Sequence, residues 1–322
     1  MSTVFYKIIQ PFLALLTLCG TFFLVITPVA ASATSGMPPE PHRIWNIDVG
    51  VQLKENVTEG MIFPIKELWI NVGDTVLWHA ASDEEHTVTF LRPGQKKPAP
   101  DRHDPLQVNK QGGDHYDGLS YYNSGLISTS FFRHKHDLTT YSLTFSVAGN
   151  FPYMSLMQPA MTGIIHVRSI GTLYPFTLHD YQQQALATTE KVRKEGRLLA
   201  TAARKYANNH YIIAGVGNSD VSDFIFTPNR VTIHVGEMVT FQHADGIEPH
   251  TITFGTSNMS NERAFGNPVA FDGLSPLNSG WLCAAPFCTG SSYRVTFTRA
   301  GTFVLRDDLN RYTMFARVVV LK

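Results

Sequence analysis

Two histidines open the same short apolar run in this chain, His86-Thr-Val-Thr-Phe90 and His250-Thr-Ile-Thr-Phe254. Met154, Met157 and Met161 follow the first, and Met314 follows the second. Thioether sulfur and imidazole nitrogen are soft donors that suit Cu(I), so His86 with these methionines is a candidate copper-binding set. The competing reading is that the methionines fill irregular core space, which their flexible side chains do well. Met154 and the adjacent Ser155 fall on opposite faces of a continuing strand, which argues against convergence of all three sulfurs. A second cluster lies in the long segment 91–137, with His103, His115, His134, His136, Asp101, Asp104, Asp114 and Asp117. His134-Lys-His136 puts two rings on one strand face, as a harder Zn(II) or Cu(II) site needs, but the spacing also reads as a solvated polar loop. His79 and His86 are seven apart, as are His243 and His250. Trp78 adjoins His79 whereas Phe241 lies two before His243, so that match reads as coincidence.

The three cysteines are Cys19, Cys283 and Cys288. The spacing of the last two is not C-x-x-C; in an oxidising compartment they form a structural staple, contributing about 2 kcal/mol. No nucleophile elbow, phosphate loop or zinc-protease motif occurs, and the chain reads as a non-enzyme. Its 26 basic residues are balanced by 26 acidic ones, which gives no electrostatic footprint for nucleic acid.

The elements that carry these residues are duplicated. Ile70-Asn-Val-Gly-Asp-Thr-Val76 returns as Ile233-His-Val-Gly-Glu-Met-Val239, and Asp117-Gly-Leu-Ser-Tyr-Tyr-Asn-Ser-Gly125 as Asp272-Gly-Leu-Ser-Pro-Leu-Asn-Ser-Gly280. Tyr141-Ser-Leu-Thr-Phe145 with Gly149 returns as Tyr293-Arg-Val-Thr-Phe297 with Gly301. Each segment alternates apolar and polar residues and is bounded by Gly turns, so both halves read as short-stranded β-sandwiches. Between them Leu178, Ala185, Val192, Leu199 and Tyr206 recur every seven residues, with Tyr181 and Ala202 on the same side. That is a helix with one apolar stripe, capped by Thr177 and Asp180 and weakened by Gly196, that packs across one or both sandwiches.

The order V-G-D-T-V-x-W, then His-T-V-T-F, then Y-S-L-T-F with G-x-F-x-Y resembles the plastocyanin/azurin family of cupredoxins. The resemblance covers nearly all of the mature chain, in two copies. It implies an all-β fold of two Greek-key β-sandwiches joined by one α-helical linker. It also implies copper binding and electron transfer by two histidines, one cysteine and an axial methionine at one end of each sandwich. Carried over residue by residue, the first histidine is His86 and the axial methionine Met161. Ser155 takes the cysteine position and Gln158 the second histidine position. In the second copy His250 and Met314 match. Counting forward from Gly301 puts Asp307 at the cysteine position; counting back from Met314 puts Asp308 there and Arg311 at the second histidine. Both copies depart from the pattern at the thiolate and the second imidazole. His250, Met314, Asp307 and Asp308 could make a weak mixed metal site, but an ionic network of Arg306, Asp307, Asp308 and Arg311 is the simpler reading of the second loop.

At the start, Lys7, the apolar run from Phe12 to Val29 and Ala31-Ser32-Ala33 read as an export signal, with an uncleaved membrane anchor as the alternative. The expected organisation is signal or anchor 1–33, first domain 41–169, helical linker 170–209 and second domain 210–322. The localisation expected is periplasmic, extracellular or cell-surface. Two functions follow as expectations. One is a copper-handling or electron-transfer protein with an altered Cu(I) site in the first domain. The other is a metal-free tandem scaffold that binds another protein or the cell surface, for which segment 91–137 is the candidate.

Overall fold

The structure is a computed structural model that describes residues 42–53, 57–130, 138–158, 160–246, 248–256, 268–283, 290–310 and 314–322. The proposed signal or anchor, His134, His136, Cys288 and Arg311 lie outside the described residues. Among the described residues no helix is long and apolar enough to cross a membrane.

The alternating pattern of the sequence becomes two sandwiches with one strand order. In the first, Ile44–Val49, Thr75–Ala80, Thr140–Phe145 and His115–Tyr116 form one sheet in that order. Glu67–Asn71, Thr162–Arg168, Gly149–Met154, Thr89–Phe90 and Tyr122–Asn123 form the facing sheet. In the second, Tyr211–Gly217, Met238–Ala244, Ser292–Phe297 and Val269–Phe271 repeat the first order. Arg230–His234, Phe315–Leu321, Gly301–Arg306, Thr253–Phe254 and Leu277–Asn278 repeat the second. The pairings repeat as well: the first strand of each copy runs parallel to the neighbour in its own sheet that follows the Gly turn, Ile44 beside Thr75 and Tyr211 beside Thr240.

In Ile44–Val49 and Thr140–Phe145 buried and exposed residues alternate, so one face fills the core. Equivalent aromatics meet in both cores. Phe90 and Tyr116 lie 4.6 Å apart between ring centres, and their counterparts Phe254 and Phe271 lie 4.7 Å apart. Offset aromatic pairs of this kind add about 0.5–1.5 kcal/mol beyond their burial.

A hairpin of Val51–Leu53 and Thr58–Gly60 leaves the first half and extends the second sandwich. Thr58–Gly60 pairs antiparallel with Val221–Thr227, and the next residue, Met61, is buried in the second core. Segment 41–169 is therefore shared: its hairpin covers an edge that would otherwise present unpaired backbone groups.

The helix spans Leu178–Tyr206 and opens with the expected capping box of Thr177 and Asp180. Its buried residues are Tyr181, Val192, Gly196 and Ala203. The stripe is truncated at both ends, since Leu178 is 52% and Tyr206 73% exposed, and Ala203 rather than Ala202 packs inward. A straight helix drifts about 20° per heptad relative to a strict seven-residue repeat, so a fixed stripe rotates off the surface. Gly196 has a packing role: a Cβ there would lie 2.5 Å from Thr58 Cγ2. Val192 joins Val51, Leu53, Ile62 and Val221 in a small apolar cluster. Tyr181 packs on the first core, where its hydroxyl accepts the Trp69 N–H at 2.9 Å. Tyr181→Phe leaves that amide without its acceptor and is expected to lower stability by about 1–2 kcal/mol, read from chemical denaturation.

Candidate functional site

Each sandwich buries an imidazole in the loop just before a short strand, His86 before Thr89–Phe90 and His250 before Thr253–Phe254. His86 is 1% exposed and bonded at both nitrogens: Nδ1 to Gln158 Oε1 and Nε2 to Ser82 Oγ, each at 2.8 Å. The amide orientation of Gln158 fixes the protons. Its Nε2 donates to the Glu85 carbonyl at 3.1 Å, so Oε1 is the atom that faces His86 and can only accept. Nδ1 therefore carries the proton, and Nε2 accepts the Ser82 hydroxyl. Ser155 completes the set by donating Oγ–H to the same Gln158 oxygen at 2.9 Å while accepting the Thr87 N–H at 3.2 Å. Burial pushes the His86 pKa down, and this imidazole is neutral.

The second site solves the same problem with charge. His250 Nδ1 meets Asp307 Oδ2 at 2.8 Å, and Nε2 meets Asp245 Oδ2 at 3.4 Å. Burial acts to lower the His250 pKa, but the two carboxylates together outweigh it and raise it to about 10. The same pairing lowers Asp307 against the opposing effect of its burial. Asp307 Oδ1 also accepts N–H groups from Thr251 at 2.9 Å and Leu309 at 3.0 Å, and Oδ2 accepts Asn310 Nδ2 at 3.0 Å.

Backbone contacts decide the alignment that counting left open. Ser155 N donates to the Met161 carbonyl at 2.9 Å, and Asp307 N to the Met314 carbonyl at 3.1 Å. Thr87 Oγ1 accepts Leu156 N at 2.8 Å, and Thr251 Oγ1 accepts Asp308 N at 2.7 Å. Asp307 thus stands where Ser155 stands, and Asp308 where Leu156 does. Asp308 accepts Thr253 Oγ1 and Arg306 Nε instead, at 2.9 and 2.8 Å. The expected ionic network is therefore split: Arg306 pairs with Asp308, while Asp307 serves His250. Met161 N donates to the Gln158 carbonyl and Met314 N to that of Asn310, so Asn310 occupies the position of Gln158.

Sequence reasoning missed Ser82, Asp245, Asn310, Gly50 and Gly215. The two acceptor or donor partners lie just before their histidines, at Ser82-x-x-x-His86 and Asp245-x-x-x-x-His250, and the one-residue difference hid the correspondence. Gly50 and Gly215 lie over the imidazoles at positive φ, +79° and +66°. A Cβ at Gly215 would stand 1.8 Å from His250 Nε2. The seven-residue spacing of the histidine pairs has no common geometry. His79 bonds Asn46 on an exposed strand face, whereas His243 is buried and bonded at Nε2 to the Glu248 carbonyl at 2.8 Å.

Met161 is fully buried in the first core and Met314 in the second. Met157 is buried, and Met154 is half-buried on the strand face opposite the core residue Tyr153. In segment 91–130 the acids have local tasks. Asp104 caps Pro105–Val108, Asp114 pairs with Lys110, and Asp117 closes a turn by accepting Leu119 and Ser120 N–H groups. Cys283 is buried; its proposed partner lies outside the described residues.

No protein-family model matches the chain, and no curated protein matches it. Among solved structures it is similar to amicyanin. A methionine-to-alanine mutant of amicyanin with Cu(I) is 22% identical over 39% of this chain and 82% of that chain, with a TM-score of 0.25. A second such mutant in its Cu(I) form is 23% identical with the same coverage and TM-score. A reduced tryptophan-to-tyrosine mutant is 23% identical over 38% of this chain and 80% of that chain, with a TM-score of 0.24.

The copper that the sequence resemblance implies does not fit these donors. A blue-copper ion needs a thiolate and two imidazole nitrogens. Here the thiolate position holds a hydroxyl or a carboxylate, the second imidazole is an amide, and both nitrogens of each remaining imidazole are hydrogen-bonded.

Proposed function

We propose that the chain is an exported, metal-free tandem scaffold on a cupredoxin-like frame, which binds another protein or the cell surface. The observation that carries this is the state of His86. Its Nδ1 proton is donated to Gln158, the residue at the second ligand position, so a hydrogen bond stands where a shared metal ion would be needed. Supporting it, Gln158 Nε2 lies 3.5 Å from Glu248 Oε1, so the loop end of one sandwich faces that of the other. A redox partner would have to reach a metal through that end. Recognition is assigned to segment 91–137, whose described residues 91–106 are largely exposed. Residues 1–33 deliver the chain across the membrane, and Cys283 with Cys288 staples one loop of the exported form.

The test is titration of the purified mature chain with Cu(I) under reducing conditions and with Cu(II) after reoxidation, counting bound metal and recording spectra. The expected result is no stoichiometric copper and no intense blue band. One tightly held Cu(I) per chain, lost in Met161→Ala or His86→Ala, would replace this reading with copper handling by the first sandwich.

A further inference from the structure

We infer that the two buried imidazole networks form one continuous polar relay that couples the sandwiches. The run begins at His86 Nδ1, bonded to Gln158 Oε1 at 2.8 Å. The Gln158 amide crosses the junction to Glu248 Oε1 at 3.5 Å. Glu248 N donates to Asp245 Oδ1 at 3.2 Å, and Asp245 Oδ2 holds His250 Nε2 at 3.4 Å. His250 Nδ1 closes the run on Asp307 at 2.8 Å. Every member is at least nine-tenths buried: Gln158 is 2%, Glu248 7% and Asp245 3% exposed.

Burial gives the run its mechanical meaning. In a low-dielectric interior each hydrogen bond is strong and each lost partner is costly, so the orientation of one group restricts the next. The Gln158 amide cannot turn to relieve a change on one side without breaking contacts on the other: Oε1 is held by His86 and Ser155, Nε2 by Glu85 and Glu248. A second link runs beside it. Thr58, on the hairpin lent by the first half, donates its hydroxyl to Asp223, whose pKa burial raises to about 6 with a further push from Asp245. The two sandwiches are thereby held in one relative orientation, and an opening at either imidazole is transmitted to the other. This holds whatever partner the scaffold takes.

Amide hydrogen exchange on the full chain tests it at two N–H groups that report the two ends. Thr87 N–H donates to Ser155 and Thr251 N–H to Asp307. In Gln158→Leu both amides are expected to lose protection together, by about tenfold or more, although Thr251 is in the other sandwich. In the double variant Gln158→Leu with Glu248→Ala the losses should be non-additive, because both substitutions cut the same contact. Loss at Thr87 with Thr251 unchanged would overturn the relay, and so would additive losses, which would assign the coupling to the hairpin. Should Gln158→Leu not fold, Glu248→Ala alone answers in the reverse direction: unchanged protection at Thr87 refutes the proposal.

Discussion

Asp307→Ala is expected to lower the stability of the chain by about 3–5 kcal/mol, the range for removing one partner of a buried ion pair. The substitution leaves the His250 imidazolium buried with the more distant Asp245 at 3.4 Å, and strips acceptors from Thr251 N, Leu309 N and Asn310 Nδ2. The pH dependence should carry the same signature. The His250 pKa is raised from 6.5 to about 10, so its contribution is complete below the unfolded value and is lost as pH rises through the folded one. The Asp307 pKa is lowered from 3.8, so its contribution is present above that value and lost as pH falls through the folded one. Stability should therefore be greatest between about pH 4 and 6.5 and decline steadily towards pH 10. Urea denaturation across that range measures it, with His250→Gln as the comparison. A wild-type midpoint that stays flat from pH 7 to 10, or the same slope in His250→Gln, would show that the imidazole is not held charged.

The second large effect is at a glycine. Gly215→Ala should cost about 2–5 kcal/mol, from two additive causes. A left-handed alanine costs about 1–2 kcal/mol at any site, and overpacking a core adds about 1–3 kcal/mol. The new Cβ would meet His250 Nε2 at 1.8 Å and Cδ2 at 2.2 Å, and that ring is fixed by two carboxylates. Gly171 separates the two causes, because its φ is +74° and a Cβ there meets nothing within 4 Å. Gly171→Ala should lose only the backbone part. Gly50→Ala should fall with Gly215→Ala, since its Cβ would stand 2.3 Å from Ser82 Oγ and 2.7 Å from His86 Nε2. Equal midpoints for Gly171→Ala and Gly215→Ala would show that the imidazole gives way freely, which the network predicts it cannot.

Much of this protein was legible in its sequence because the signals are local and were written twice. The period-two strands around Tyr141–Phe145 and Tyr293–Phe297, the Gly turns and the Thr177–Asp180 cap depend on neighbours in the chain, and each was placed correctly. That no cysteine falls at either ligand position of the resembled pattern was equally plain, since residue type alone decides it. The partners of the two buried imidazoles were not legible. Asp307 and Asp308 differ by one position, and only the ladder bond from Asp307 N to the Met314 carbonyl shows which faces His250. Ser82 and Asp245 are partners made by a loop fold, with no periodicity to announce them. Gly196 reads as a weakness until Thr58, a residue 138 positions earlier in the numbering, is packed against it. The sequence by itself showed a duplicated pattern of short strands, a capped helix between the copies and no cysteine at either position where the resembled pattern has one. The tertiary structure alone decided that the hairpin crosses between halves, that the two loop ends meet, and that one imidazole is neutral while the other is charged. The physical reason is that strand and helix patterns are set by spacing along the chain, whereas protonation and interlocking depend on which buried groups are brought within hydrogen-bonding distance by residues far apart in it.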